Sequence, residues 1–141
     1  MPRTLSLATF LITGALCAQS PNALDFDGVD DRVDIDSTAT ALDITGTQLT
    51  LEAWIYPTSW KPTVWQGTII SKDHFFRGYM LRAGENGTLN FAFGDSIGWH
   101  ELDSPTASMV LNTWYHVAGT YDGSDMRLYI DGALVATGPA T

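Results

Sequence analysis

Hydrophobic residues occupy every second position near the end of the chain. Met126, Leu128 and Ile130 fall on one face of an extended chain, while Arg127 and Tyr129 fall on the other. Successive side chains of a β-strand point to opposite faces, so this period of two is typical of a half-buried strand. The pattern predicts that one face packs on a core and the other meets solvent.

Two Asp-Gly pairs divide residues 114–136 into three such segments. Asp122-Gly123 and Asp131-Gly132 separate runs that are rich in Val, Ile, Tyr and Thr. Asp-Gly suits tight hairpins because both residues tolerate positive φ, which lets the turn follow the twist of the strands. The stretch therefore predicts a meander of three antiparallel strands and an all-β fold.

Further strands are predicted upstream of this meander. Apolar residues occupy every second position from Leu49 to Ile55, and Pro57 ends that strand because proline has no amide hydrogen for the ladder. Asn86-Gly87 is a strong hairpin signal between two later strands. The predicted strands cover residues 48–56, 68–72, 79–83, 89–93 and 99–102.

The opening of the domain shows the same alternation. Leu24 and Phe26 alternate with aspartates before a turn at Gly28, and Val33 and Ile35 do so after it. No helical period of useful length occurs outside the first twenty residues. Short strands with frequent turn signals predict an antiparallel β-sandwich or jelly roll for residues 23–141.

The first eighteen residues read as a signal peptide. Arg3 provides a positive start, a mostly apolar run to Leu16 is too short to span a bilayer, and small residues follow. Cleavage after Cys17 and cleavage after Ala18 both remain open. A lipid anchor on Cys17 is the weaker alternative, because Leu16 stands where a small residue is wanted. We expect a secreted or cell-surface protein.

Charge and cysteine content narrow the possible partners. The formal net charge is −9, and removal of Arg3 with the signal lowers it to −10. An acidic surface argues against nucleic acid and sulfated glycans, which need a basic stripe to displace counterions. The only cysteine, Cys17, lies in the signal region, so packing or a bound metal must hold the domain. No second apolar stretch is long enough to cross a membrane.

Six short motifs occur in the order typical of one family. They are ALDFDGVDD, LTLEAWIYP, IISKD, GYMLR, WYHVAGTYDG and LYIDGALV. With them the chain resembles the LamG-like jelly-roll family of the concanavalin A-like lectin and glucanase superfamily, over nearly all of residues 23–137. The resemblance implies an antiparallel jelly-roll β-sandwich. Since the family pattern continues beyond Thr141 with further strands, it also implies a sandwich that is incomplete at its C-terminal end here.

The opening stretch is a candidate calcium site. Six aspartates fall within twelve residues around Gly28, and Ca²⁺ takes six to eight oxygen ligands at flexible geometry. Asp27, Asp30 and Asp31 are the predicted side-chain ligands by turn geometry. The resemblance also implies a structural calcium near this strand. The alternative is that the aspartates are turn residues and the solvent face of an edge strand.

A hydrolase is a weak alternative function. Glycoside hydrolysis needs paired carboxylates, and glucanases of the superfamily are expected to carry Glu-x-Asp-x-x-Glu on one strand. The nearest match begins at Glu101 and Asp103, but Thr106 replaces the second glutamate and Pro105 breaks the strand. The three histidines are scattered along the sequence. We expect a protein that is not an enzyme.

Aromatic and polar residues on one sheet face favour a binding module. Sugars present apolar C–H faces to aromatic rings and hydroxyls to carboxylates, amides and guanidinium groups. The alternative is that Trp54 and Trp114 belong to the core. The face predicted to bind carbohydrate gathers Glu52, Trp54, Tyr56, Arg82, Asn90, Arg127 and Tyr129, and a loop adds Trp60 and Trp65.

These observations leave two binding functions open beside the hydrolase. The first is a secreted, non-catalytic carbohydrate-binding module within a larger extracellular protein. The second is a protein-interaction or adhesion module of the same fold, stabilised by calcium.

Overall fold

The structure is a computed structural model that describes residues 23–35, 42–44, 46–74 and 77–140. The chain divides into two compact units between Asp34 and Ile35, and every strand in the described residues lies in the second unit. The eight strands are β1 Leu49–Ile55, β2 Thr68–His74, β3 Arg77–Gly84, β4 Thr88–Gly94, β5 Trp99–Asp103, β6 Tyr115–Tyr121, β7 Asp125–Ile130 and β8 Ala133–Pro139. Among the described residues, Val64–Gln66 forms a 3₁₀ turn.

The strands form two antiparallel four-stranded sheets. The first sheet has the order β1-β6-β7-β8, and the second has the order β2-β3-β4-β5. The predicted meander of β6, β7 and β8 is confirmed, as is the all-β sandwich. Each of the remaining strands predicted between residues 48 and 102 is present, with ends displaced by up to a few residues.

The core lies between the two sheets. Leu81, Leu89 and Phe91 of the second sheet are fully buried, and they pack with Val117 and Leu128 of the first. Because side chains alternate along a strand, this buried layer fixes which residues face outward on both sheets.

One hairpin has the geometry that its Asp-Gly pair predicts, and another is held by side-chain hydrogen bonds instead. Asp131 and Gly132 both have positive φ, as Asp-Gly in a two-residue hairpin should. At the turn between β6 and β7, Gly123 has positive φ but Asp122 does not. The Asp122 carboxylate instead accepts hydrogen bonds from the backbone amides of Ser124 (3.0 Å) and Asp125 (2.9 Å).

The strands expected in the opening stretch do not form, so this part of the prediction is wrong. Residues 23–35 contain no strand, and their large apolar side chains are between 49% and 83% exposed. Alternation alone does not make a strand, because the backbone also needs a neighbour that accepts its hydrogen bonds. In this stretch, aspartate side chains accept the hydrogen bonds of the backbone amides of Asp27 and Val29.

The predicted signal peptide, residues 1–18, lies outside the described residues. Within the described part of the chain, no helix is long and apolar enough to cross a membrane.

Replacing Gly119 with alanine should destabilise the sandwich. A Cβ at Gly119 would lie 2.6 Å from Cγ of Phe91, which is fully buried, so the alanine requires the ring or the backbone to shift. Overpacking of this kind costs about 2 kcal/mol, so the free energy of unfolding measured in urea should fall by about that much.

Gly46→Ala is the matched control for this substitution. The nearest atom to a Cβ at Gly46 is the Gln48 amide nitrogen at 4.0 Å, so Gly46→Ala should change the stability by less than about 1 kcal/mol. Equal losses in the two variants would contradict the packing assigned to Gly119.

Candidate binding faces

An aromatic cluster lies on the outer face of the first sheet. Trp54 is 56% exposed and its ring centroid lies 5.3 Å from that of His116. Tyr56 is 44% exposed and lies 5.5 Å from Trp114. Glu52 completes the group, since its Oε2 lies 3.5 Å from Nε2 of His116. We call these five residues the aromatic face.

The pairing of β1 with β6 brings the aromatic face together. Trp54 stands opposite His116 in the antiparallel register, and Glu52 stands opposite Ala118. The inward neighbours on β1 turn toward the core, so the residues between them must point outward.

Trp114 and His116 are parts of this face that the sequence pattern did not assign to a site. The sequence makes Trp114 a candidate core residue, but it is half-buried on the outside against Tyr56. Trp54, the other candidate for the core, is exposed. The sequence offers one signal for His116, which is its position two residues after Trp114. Side chains two residues apart point to the same side of an extended chain.

Arg127 and Tyr129 share the outer side of this sheet, although Arg127 is already engaged. Its Nη1 lies 2.5 Å from Asp122 Oδ2 and its Nη2 lies 3.1 Å from Asp125 Oδ2. The hydrogen bond that Arg127 donates to the Asp122 carboxylate raises the pKa of Arg127. These ion pairs show that Arg127 stabilises the turn before β7. Tyr129 is half-buried and stands opposite Ala118.

Arg82 and Asn90 lie on the other sheet, so the expectation of one common face is wrong for them. They stand opposite each other on β3 and β4, and both are buried. Arg82 Nε donates to Asn90 Oδ1 at 2.9 Å. The 3₁₀ turn packs on these two strands. Gly84 allows the backbone at Thr63 to come close, because a Cβ on residue 84 would lie 2.7 Å from the Thr63 carbonyl oxygen.

The two loop tryptophans have different environments. Trp60 is half-buried and packs against the hydrophobic core. Trp65 lies in the 3₁₀ turn and is 68% exposed. Of this pair, Trp65 is the one that solvent reaches freely.

The aspartates predicted to hold calcium do come together. Asp27, Asp30 and Asp31 each offer a carboxylate oxygen, and these atoms lie within 4.8 Å of one another. All three residues are exposed. Asp27 Oδ1 accepts a hydrogen bond from the Val29 amide at 2.7 Å, and Asp31 Oδ2 accepts one from the Asp27 amide at 2.9 Å. These two hydrogen bonds hold the loop in a tight turn. Hard oxygen donors in this arrangement fit Ca²⁺.

The two acids of the broken glucanase motif lie on the second sheet. Asn90 Nδ2 donates to Asp103 Oδ1 at 2.7 Å and lies 3.5 Å from Glu101 Oε2, so both acids face the outer side of β4. Thr106 lies beyond the end of β5. The pair is therefore not on the sheet that carries Trp54.

Comparison with known families identifies the fold. A laminin G family model, described as the concanavalin A-like lectin/glucanases superfamily, matches residues 27–141. The chain belongs to this superfamily. A comparison with curated proteins finds no match.

Membership of the concanavalin A-like superfamily gives a coarse function. Its members bind carbohydrate or proteins, so this LamG-like chain is a binding module at that level. LamG-like domains typically lie in extracellular proteins.

Asp122 gives the LamG-like sandwich a stability that depends on pH. The pKa of Asp122 is lowered from 3.8 to about 2. The largest cause is the hydrogen bond from the Asp125 amide, and the next is the hydrogen bond from Arg127. A carboxyl whose pKa is lower in the folded state stabilises the fold above its unfolded pKa, and the effect is lost as the pH falls toward the folded value. Asp122→Asn should therefore be less stable than the wild type at pH 7, and the gap should close between about pH 4 and pH 2.

Urea unfolding across this pH range measures the gap, with Glu85→Gln as a control acid in the turn between β3 and β4. A gap for Asp122→Asn that stays constant with pH would show that shape, rather than charge, is responsible.

Proposed function

We propose that this LamG-like domain is a secreted, non-catalytic module that binds carbohydrate through the aromatic face. The observation that carries the proposal is the pair of exposed rings, Trp54 and Tyr56, held next to Glu52 and His116 on adjacent strands. The signal pattern of residues 1–18 supports export. We further propose that the module works within a larger extracellular protein.

The chemistry of the aromatic face matches that of a sugar ring. Exposed aromatic rings can stack on the apolar C–H face of a pyranose, and stacking of this kind contributes beyond simple burial. The Glu52 carboxylate accepts hydrogen bonds from hydroxyl groups, and the imidazole of His116 can donate or accept one. The imidazole of His116 lies beside the ring of Trp54, and the Glu52 carboxylate lies beside that imidazole.

The rigidity of the site also favours recognition of a ligand. Trp54 is on a strand whose neighbours pack in the core, so its backbone is fixed before a ligand arrives. A binding surface that is already ordered avoids the entropic cost of ordering loops on association. A tryptophan held in this way presents apolar surface to solvent, and a bound ligand would bury that surface.

The non-catalytic part of the proposal rests on the carboxylates. Hydrolysis of a glycosidic bond needs two carboxyl groups across that bond. Glu101 and Asp103 face the outer side of the second sheet, whereas Trp54 lies on the first. The broken motif and this separation both favour binding without cleavage.

Trp54→Ala should abolish most glycan binding. A glycan array followed by calorimetric titration of the strongest neutral glycan measures the effect. Loss of a stacked tryptophan removes about 2 kcal/mol of burial and stacking, which raises the Kd about thirtyfold.

Trp65→Ala is the matched control, because it removes a more exposed tryptophan that lies outside the aromatic face. Binding that is lost in Trp65→Ala but kept in Trp54→Ala would move the site to the loop. Chromatography of the glycan after titration should show unchanged ligand, and shorter products would contradict the non-catalytic assignment.

We propose as a second candidate that the opening stretch binds calcium, as expected for a protein-interaction module stabilised by a metal. Asp27, Asp30 and Asp31 would hold the ion, with backbone carbonyls and water completing its shell. The ion would offset the mutual repulsion of three adjacent carboxylates.

Asp30→Asn should weaken calcium binding by about tenfold or more, because it removes one of three charged ligands. Calorimetric titration of the chain with calcium chloride checks this. Asp25→Asn removes the same charge from the same stretch but lies outside the cluster, so it should leave the affinity nearly unchanged. Titration heats indistinguishable from dilution in the wild type would end this second proposal.

A further inference from the structure

The turn between β3 and β4 has a left-handed backbone. Glu85, Asn86 and Gly87 follow one another with φ of 44°, 60° and 88°. Positive φ is uncommon for residues that carry a side chain, and glycine adopts it readily. Within this turn, Asn86 is an exposed residue that stands directly before a glycine.

An asparagine before a glycine has a chemistry of its own. The backbone nitrogen of the following residue can attack the carbonyl carbon of the asparagine side chain, which makes asparagine one of the thermolabile residues. Glycine hinders this attack least, because it has no side chain. In this chain Asn86 is the asparagine that precedes a glycine, whereas Asn90 precedes Phe91 and Asn112 precedes Thr113.

The reaction needs only base and water. The Gly87 nitrogen gives its proton to a base and forms a bond to Cγ of Asn86. The bond between Cγ and Nδ2 breaks, and Nδ2 leaves as ammonia with a proton from solvent, which closes a five-membered succinimide. Water then opens the succinimide at one of its two carbonyl carbons. One opening gives aspartate at position 86, and the other gives isoaspartate, in which the backbone runs through the side chain.

The folded turn blocks the first step in two ways. In the left-handed region that Asn86 occupies, ψ is typically about +47°, which puts the next nitrogen nearly opposite the residue's own Cβ across the Cα–C bond. A succinimide needs these two atoms on the same side of that bond. In addition, the Gly87 amide donates a hydrogen bond to the Gly84 carbonyl oxygen at 3.0 Å, and this bond must break before a base can take the proton.

A neighbouring loop holds the turn in this conformation. The Asn86 carbonyl oxygen accepts a hydrogen bond from the Ala107 amide at 3.0 Å. The Gly87 carbonyl oxygen accepts one from the Met109 amide at 3.2 Å. A Cβ at Gly87 would lie 2.1 Å from the Met109 carbonyl oxygen, so the two backbones are in close contact. The turn can therefore open only when this loop releases it, which requires at least local unfolding.

We propose that Asn86 is a deamidation site that the fold keeps closed. The site reacts in chains that are unfolded and is nearly inert in the sandwich. Isoaspartate adds one backbone carbon before Gly87, and the hairpin that pairs Gly84 with Thr88 would have to change its register to include it. A chain that stays unfolded for long therefore loses its ability to fold. This site is independent of any ligand that the aromatic face binds.

Peptide mapping by mass spectrometry measures the reaction. The wild-type chain is held at mildly alkaline pH in native buffer and in concentrated urea, and samples are taken over days. Replacement of the amide NH₂ by OH changes the mass of the peptide that contains Asn86, and a protein isoaspartate methyltransferase labels the isoaspartate. We expect the reaction to be at least about tenfold faster in urea, because in buffer the turn must first open.

Asn112 is the internal control. It is also exposed and has a positive φ, 59°, but a β-branched residue follows it. In urea both asparagines lose their folded conformation, so the difference that remains is the next residue. The peptide that contains Asn112 should react much more slowly than the peptide that contains Asn86.

Two variants test the consequence for folding. Asn86→Gly removes the reacting amide and keeps a residue that tolerates positive φ. Its refolded fraction should stay constant with time in urea, whereas that of the wild type should fall as isoaspartate accumulates. Asn86→Asp has the charge of the aspartate product without the additional backbone carbon, so before incubation it should refold as the wild type does.

The outcomes separate the possibilities. Equal rates in buffer and in urea would overturn the proposal, and so would a rate in urea at Asn86 no faster than that at Asn112. If Asn86→Gly fails to fold, separation of refolded from aggregated wild-type chains gives the same test. The refolded chains should be depleted in isoaspartate, and equal content in the two fractions would contradict the effect on folding.

Discussion

The contact between Phe91 and the backbone of Gly119 determines how the two sheets of this sandwich meet. Phe91 projects from β4 over a strand of the opposite sheet, at a point where any side chain larger than hydrogen would collide with its ring. Buried apolar residues of both sheets surround this contact. Since interiors are packed as closely as crystals, the sheets have one way to fit, and that fit fixes which side chains remain outside.

The outer surfaces left by this packing differ in chemistry. The first sheet exposes Trp54 and Tyr56, with a carboxylate and an imidazole beside them. The second sheet buries an arginine and an asparagine and leaves two acids on its edge strand β5. An aromatic surface binds mainly by burial of apolar area, whereas a fixed polar network selects by hydrogen-bond geometry.

The sequence predicted the strands well and the candidate site only in part. A period of two located the strands because each has one face on a single core, and the turns at Asn86-Gly87 and Asp131-Gly132 marked two of their ends. The period could not tell which sheet a strand joins. Arg82 and Trp54 have the same outward phase, but their strands pair with different neighbours, so they lie on opposite sides of the domain.

By itself, the sequence determined the all-β class, the meander of the last three strands and the clustering of the opening aspartates, because alternation, turn propensity and short loops act between residues close in the chain. Only the tertiary structure decided that His116 lies beside Trp54 and that Arg82 is buried. Strand order and the packing of loops join residues far apart in the chain, and local patterns do not encode those contacts.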